Sequence, residues 1–363
     1  MSEEIRTQRQ ITRRRFLARA VSAATVVTSA MLGGTALLAQ TTPHPATDSA
    51  SPGSRHSDLI DVHHHYATRE YIAEVNPKSP LSAPIREWNV EKTLADMEKT
   101  GTATAILSIS SPGLWFGDPV ETRNMARICN DFAARIVKEN PRRFGAFTAI
   151  PLPDMDAALT EIAYGLDVLK LDGIGLLTNY SGKYLGDASF APVLAELNRR
   201  KAVVYTHPIS CPPCNGLVPE INQNVIEFGT DTTRSIASVV FSGAASRYPD
   251  IRWIWSHAGG TMPSLIARFE DAAKEPDNAK RLPNGLMYEL QRFFYDTAQS
   301  AHPLTMASLA KLVPPTQVVF GTDFPFREGA EQVSSLNRCG FSAQEMRSIE
   351  RENVLRLLPR LKA

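Results

Sequence analysis

From residue 59 onward, short β-branched runs alternate with longer amphipathic stretches, and this alternation restricts the fold more than any other feature of the chain. The runs at 59–65, 103–110, 144–152, 173–179, 202–207, 251–257, 293–297 and 318–323 read as strands. Between them, 90–100, 120–139, 155–169, 190–200, 235–247 and 262–273 carry apolar residues at helical spacing. Strands that alternate with helices build a parallel sheet, because each parallel neighbour needs a crossover. Eight such units over about 300 residues predict an α/β fold of the (β/α)8 barrel type. The competitor, a doubly wound open sheet, calls for a Gly-rich phosphate loop after the first strand. Here that turn reads His63-His64-His65-Tyr66, so the barrel is the expectation.

In a barrel the C-terminal ends of all strands meet at one mouth, where the chemistry is done. Five of the eight histidines fall at such ends: His63, His64 and His65 after the first strand, His207 after the fifth and His257 after the sixth. Asp323 ends the eighth. Side chains alternate along a strand, so His63 and His65 share one face and His64 takes the other, toward the surrounding helices. His63, His65, His207 and Asp323 then make a three-nitrogen, one-oxygen set suited to Zn²⁺ or a neighbouring divalent ion such as Mn²⁺. One histidine at a strand end is most often a core residue; four donors at matching ends point to a metal.

The N-terminus reads differently. Arg13-Arg14-Arg15-Phe16-Leu17 precedes an uncharged stretch, Ala20 to Ala39, rich in Ala, Thr, Ser and Gly. A basic segment followed by a weakly apolar one marks residues 1–40 as an export signal, and the arginine pair resembles the twin-arginine motif read by a receptor. The Thr, Ser and Gly dilute the hydrophobicity below what a stable membrane span needs. Residues 41–57 are Pro-, Ser- and Thr-rich and read as a flexible linker, which leaves 58–363 as the barrel domain. The expected location is the periplasm, with no membrane span after processing. The net charge is +1, of which residues 1–40 carry +4, leaving −3 on the remainder. A mildly acidic body excludes a nucleic-acid binder. Nothing in the sequence decides whether the chain forms a homo-oligomer.

Of the four cysteines, Cys129 and Cys339 are isolated, while Cys211-Pro212-Pro213-Cys214 forms a C-x-x-C four residues after His207. Such a pair serves as half of a zinc site or as a redox couple. With no second pair to complete a zinc site, it reads as a loop feature and as a disulfide in an oxidising compartment.

The segments Asp61-Val62-His63-His64-His65, Thr206-His207-Pro208, Trp255-Ser256-His257-Ala258-Gly259-Gly260 and Gly321-Thr322-Asp323-Phe324-Pro325 together resemble the amidohydrolase superfamily. The branch is that of 2-amino-3-carboxymuconate-6-semialdehyde decarboxylase and aromatic-acid decarboxylases, and the wording around Leu185-Gly186-Asp187 and Phe241-Ser242-Gly243 is most similar to 6-methylsalicylate decarboxylases. The resemblance covers 58–359. It implies His63, His65, His207 and Asp323 as ligands of one divalent ion, zinc first and manganese second, and His257 as the acid/base beside it. Some members of the branch have Glu where this chain has His63. The fourth-strand lysine that bridges two metals in hydrolytic relatives has no counterpart in Gly173-Ile174-Gly175-Leu176-Leu177.

The function this resemblance implies is decarboxylation of a small aromatic carboxylic acid by a carboxy-lyase. The alternative is a hydrolase of the same superfamily acting on a lactone or an amide. For an ortho-hydroxy aromatic acid Asp323 is the expected proton donor; in the muconate-type route His257 is the acid/base that takes a proton from metal-bound water. An aromatic acid also needs an apolar slot and a charge to steer it. Trp115 and Phe116 after the second strand, and Phe324 after Asp323, are candidate ring walls. Arg234 would meet a carboxylate, unless it serves a salt bridge at a helix start. Asp296, ending the seventh strand, is expected against the substrate or behind a ligand.

Overall fold

The computed structural model describes residues 58–362. The segments read from sequence as an export signal and a linker, 1–57, lie outside the described residues. Eight parallel strands follow one another in chain order: β1 (Leu59–His65), β2 (Thr102–Ser108), β3 (Phe144–Ala149), β4 (Gly173–Leu177), β5 (Val203–His207), β6 (Arg252–Trp255), β7 (Phe294–Asp296) and β8 (Val318–Val319). Each pairs with its sequence neighbours. The sheet closes on itself at the β1 seam, where Val62 N–H donates to Phe320 O at 3.0 Å, Asp323 N–H to His63 O at 2.8 Å and His65 N–H to Phe324 O at 2.7 Å. All seven residues of β1 are buried, as in a parallel strand covered on both faces.

The principal crossover helices are α1 (Val90–Thr100), α2 (Pro119–Glu139), α3 (Met155–Ala163), α4 (Ala191–Arg199), α5 (Asn224–Phe241), α6 (Ile266–Lys274), α7 (Pro303–Leu312) and α8 (Gly329–Asn337). Local chemistry sets their ends. Asn89 and Asp154 accept from backbone N–H groups in the first turns of α1 and α3. Asp118 caps α2, with Pro119 at its first position, where a missing N–H costs nothing. Gly101, at φ 73°, ends α1 in the left-handed conformation that a side chain disfavours. Apolar faces of these helices and the outer strand faces form the large clusters of the core.

The eight strands and their order agree with the sequence reading, but several boundaries move. β8 keeps only Val318–Val319 of the expected 318–323, because the chain then leaves the ladder to bond β1. The helix expected at 235–247 begins at Asn224 and ends before Gly243 (φ 77°), with a short second helix at Ala244–Arg247. Its first half is rich in Thr and holds Gly229, a poor helical sequence; packing overrides that propensity. Gly229 meets the turn after β6 so closely that a Cβ on Gly260 would lie 2.0 Å from its carbonyl oxygen. The segment 155–169 continues past α3 as a π-turn, Tyr164–Val168, and 262–273 opens with a 3-10 turn, Met262–Leu265. Among the described residues no helix is long and apolar enough to cross a membrane.

Candidate metal centre

His63, His65, His207 and Asp323 are all buried, and one ligand atom from each lies within 4.8 Å of the others. His63 Nε2 and His65 Nε2 stand 3.0 Å apart, and Asp323 Oδ1 is 3.1 Å from the first and 3.0 Å from the second. The outward nitrogens are all engaged by acceptors. His63 Nδ1 donates to Asp296 Oδ2 at 2.8 Å, His65 Nδ1 to Ser108 Oγ at 3.0 Å, and His207 Nδ1 to the Pro208 carbonyl at 2.8 Å. With each hydrogen on Nδ1, every Nε2 presents a lone pair inward, the arrangement that fixes metal-binding imidazoles. Two lone pairs and a carboxylate cannot rest about 3 Å apart without a cation between them.

The electrostatics say the same. Burial disfavours charge on His63, yet the Asp296 and Asp323 carboxylates outweigh it and push its pKa up to about 10. Burial lowers His65, and burial with the neighbouring imidazoles holds His207 well below its usual value. Burial works against an ionised Asp323, but His63, His257 and His65 hold its carboxyl well below the usual range. The pocket is therefore built for one resident positive centre: a proton on His63 is the smallest, and a divalent ion fits the whole three-nitrogen, one-oxygen donor set.

Gly321 lets β1 and β8 approach at this point, since a Cβ there would lie 2.7 Å from His63 Cβ. Asp323 (φ 69°) and His257 (φ 54°) both sit past their strands in left-handed backbone, a conformation that is costly for residues other than glycine and that clusters at working sites. His257 turns its ring to the cage, with Nε2 3.9 Å from Asp323 Oδ2. Both of its ring nitrogens are buried without a hydrogen-bond partner. Its backbone N–H is held by Asp296 Oδ1 at 2.8 Å.

His64 faces away, as the alternation expects. Its Nδ1 donates to Asp61 Oδ2 at 2.9 Å and its ring stacks on Phe324 at 4.7 Å. That contact occupies Phe324, which lies against His64 and not against the cage. Asp296 has both oxygens engaged, one by His63 and the other by the N–H groups of His257 and Ala298, so it stands behind the ligand. Arg234 lies in the middle of α5, 3.5 Å from Glu227 and 4.0 Å from Asp231. Trp115 is half-buried in the loop after β2, where Leu114 and Phe116 enter the core.

The rings that touch the cage are ones the sequence reading passed over. Phe228 of α5 lies 5.6 Å from the His207 ring and nearly parallel to His257 at 6.4 Å. Phe326 stands edge-on to His65 at 5.6 Å. Gln299 donates its amide to Asp323 Oδ2. Phe228 was hidden by the late helix start; Ser108 lay inside the expected strand 103–110, which ends at Ser108 in the structure; Gln299 carried no signal.

A (β/α)8 barrel whose mouth holds three imidazoles and a carboxylate around one point belongs to the class of metal-site barrels. Residues 60–360 match the family model described as amidohydrolase, and the chain belongs to that family. It is 37% identical over 283 residues to the decarboxylase macB of Penicillium terrestre, covering 74% of this chain and 84% of that protein. It is 34% identical over 320 residues to the 6-methylsalicylic acid decarboxylase of Penicillium expansum, covering 84% and 97%. Among solved structures, the 5-carboxyvanillate decarboxylase of Novosphingobium aromaticivorans, complexed with manganese and 4-hydroxy-3-methoxy-5-nitrobenzoic acid, superposes with a TM-score of 0.74 at 20% identity. That superposition covers 84% of this chain and 96% of the other.

Proposed function

We propose that this chain is a metal-dependent carboxy-lyase that removes CO₂, without oxidation, from a small hydroxylated aromatic acid. The observation that carries the reading is His257, buried at the rim of a metal cage with both ring nitrogens unpartnered. A cage alone suits many reactions; a free imidazole beside it, facing Phe228, suits proton transfer to a bound ring. The decarboxylase names of the relatives support the same class.

His63, His65, His207 and Asp323 would hold one divalent ion, for which the N3O set favours zinc; manganese, found in the carboxyvanillate neighbour, is the second choice. Such an ion would supply Lewis acidity that limits charge build-up during loss of the carboxylate. The remaining work belongs to the chain. Phe228 and Phe326 wall the approach to the cage with aromatic faces. His257 delivers a proton to the ring carbon that carries the carboxylate; the carbon–carboxylate bond then breaks, its electrons restore aromaticity and CO₂ leaves. Asp323, held as a carboxylate, serves as ligand and not as the proton donor, with its Oδ2 3.9 Å from His257 Nε2. Asp296 orients both histidines. The test is CO₂ release by metal-loaded protein across a panel of hydroxybenzoates. Turnover of lactones or amides with no CO₂ from any acid would overturn the reading.

The protein would act in the periplasm, with residues 1–40 as a twin-arginine-type signal, 41–57 as a linker and 58–363 as the enzyme. Arg13-Arg14 followed by Phe16-Leu17 supports this. Replacing both arginines by lysine keeps the charge but removes the guanidinium pair; export that continues unchanged would refute the route.

A further inference from the structure

We propose that Cys211 and Cys214 form a redox-active dithiol, which a low-molecular-weight disulfide converts into an intrachain disulfide on the loop between His207 and α5. The backbone already has the required shape. Cys214 N–H donates to Cys211 O at 2.8 Å across the 3-10 turn Pro212–Cys214. A turn of this kind keeps its end Cα atoms within about 7 Å, and a disulfide spans about 4.4–6.8 Å. Pro212 and Pro213 fix two of the intervening φ angles, so little chain entropy remains to be lost on closure. Both cysteines are half-buried and open to a small reagent, whereas Cys129 is fully enclosed.

The two thiols are not equivalent. Arg234 Nη2 lies 3.8 Å from Cys214 Sγ, so a guanidinium stands beside that sulfur. Burial raises the Cys211 thiol. Cys214 therefore attacks first: its sulfur bonds to one sulfur of the reagent and the other leaves as a thiolate. Cys211 loses its proton and attacks Cys214 Sγ, expelling the second thiolate. Two protein thiols are oxidised and one small disulfide is reduced to two thiols. The new bond fastens the segment that follows His207, whose Nδ1 is held by the Pro208 carbonyl.

The experiment treats the full chain with glutathione disulfide, alkylates it under denaturing conditions and maps the peptide 202–234. Two of the four cysteines should escape alkylation, both in that peptide, whose mass should fall by two hydrogens. Arg234→Gln should slow the first step, because it removes the cation beside Cys214 Sγ, and Arg234→Lys should restore most of the rate. Cys214→Ser should yield no intrachain bond. Four alkylated thiols after treatment would overturn the proposal, as would a lasting glutathione adduct on Cys214 beside a free Cys211.

Discussion

His63 and Asp296 are joined at 2.8 Å, ring nitrogen to carboxylate, with both side chains fully buried. This bond decides which nitrogen of His63 faces the cage. Asp296→Asn removes the charge and lets the amide donate as well as accept, so the tautomer is no longer fixed. Partners of this type are typically worth about 10–100-fold in metal affinity. Competition against a chelator should show a loss in that range, with the barrel intact by circular dichroism.

Ligand and proton carrier should fail in different ways. His207→Ala opens the cage and should lose most of the metal. His257→Asn should keep it, while turnover falls by about 10²–10⁴-fold, the usual worth of general acid–base assistance. Excess metal should restore part of the activity to a His63→Asn enzyme and none to His257→Asn. Rescue of both alike would make His257 a ligand. Elemental analysis of the wild type should find one ion per chain.

Metal uptake should release a proton. With the His63 pKa raised to about 10 in the metal-free chain, His63 is protonated at pH 7–9 and must lose that proton to bind. Affinity should therefore rise about tenfold per pH unit through this range and level off above pH 10. Calorimetry in buffers of different ionisation enthalpy should count close to one proton per ion. Release of none at pH 8 would mean that His63 is already neutral.

Phe228 is half-buried and touches His207 and His257, so its removal should affect substrate more than fold. Stacking is worth about 0.5–1.5 kcal/mol. Phe228→Leu should raise KM for an aromatic acid by up to about tenfold, with metal content unchanged.

Asp61 works as a clasp. Its oxygens accept from His63 N–H, His64 Nδ1, Thr322 N–H and Thr322 Oγ1. Asp61→Ala would strand several buried donors at about 1–3 kcal/mol for each left unsatisfied. Denaturant melts should show a loss of several kcal/mol, and Asp61→Asn should lose less.

The barrel and the cage were legible for the same reason: both depend on strand periodicity, which survives in a single sequence. The alternation separating His64 from His63 and His65 needs nothing more than the two-residue repeat. Phe228 and Gln299 escaped because their positions depend on tertiary contact. The first half of α5 packs against the turn after β6, where Gly260 has no Cβ to meet the Gly229 carbonyl. Gln299 reaches Asp323 because its own backbone takes φ 50°. Neither the close approach nor the left-handed residue leaves a local pattern to read.

The seam that closes the barrel joins the first strand to the last, and the metal ligands sit on both sides of it. Asp323 stands 258 residues beyond His65. During synthesis His63, His65 and His207 leave the ribosome long before their fourth partner, and a nascent chain shorter than 323 residues lacks the Asp323 carboxylate. Loading the ion is thus a late event in the life of the molecule. Once in place, the ion would add its bonds to a seam that backbone hydrogen bonds and Asp61 already join, so its residence and the closure of the barrel would report on each other.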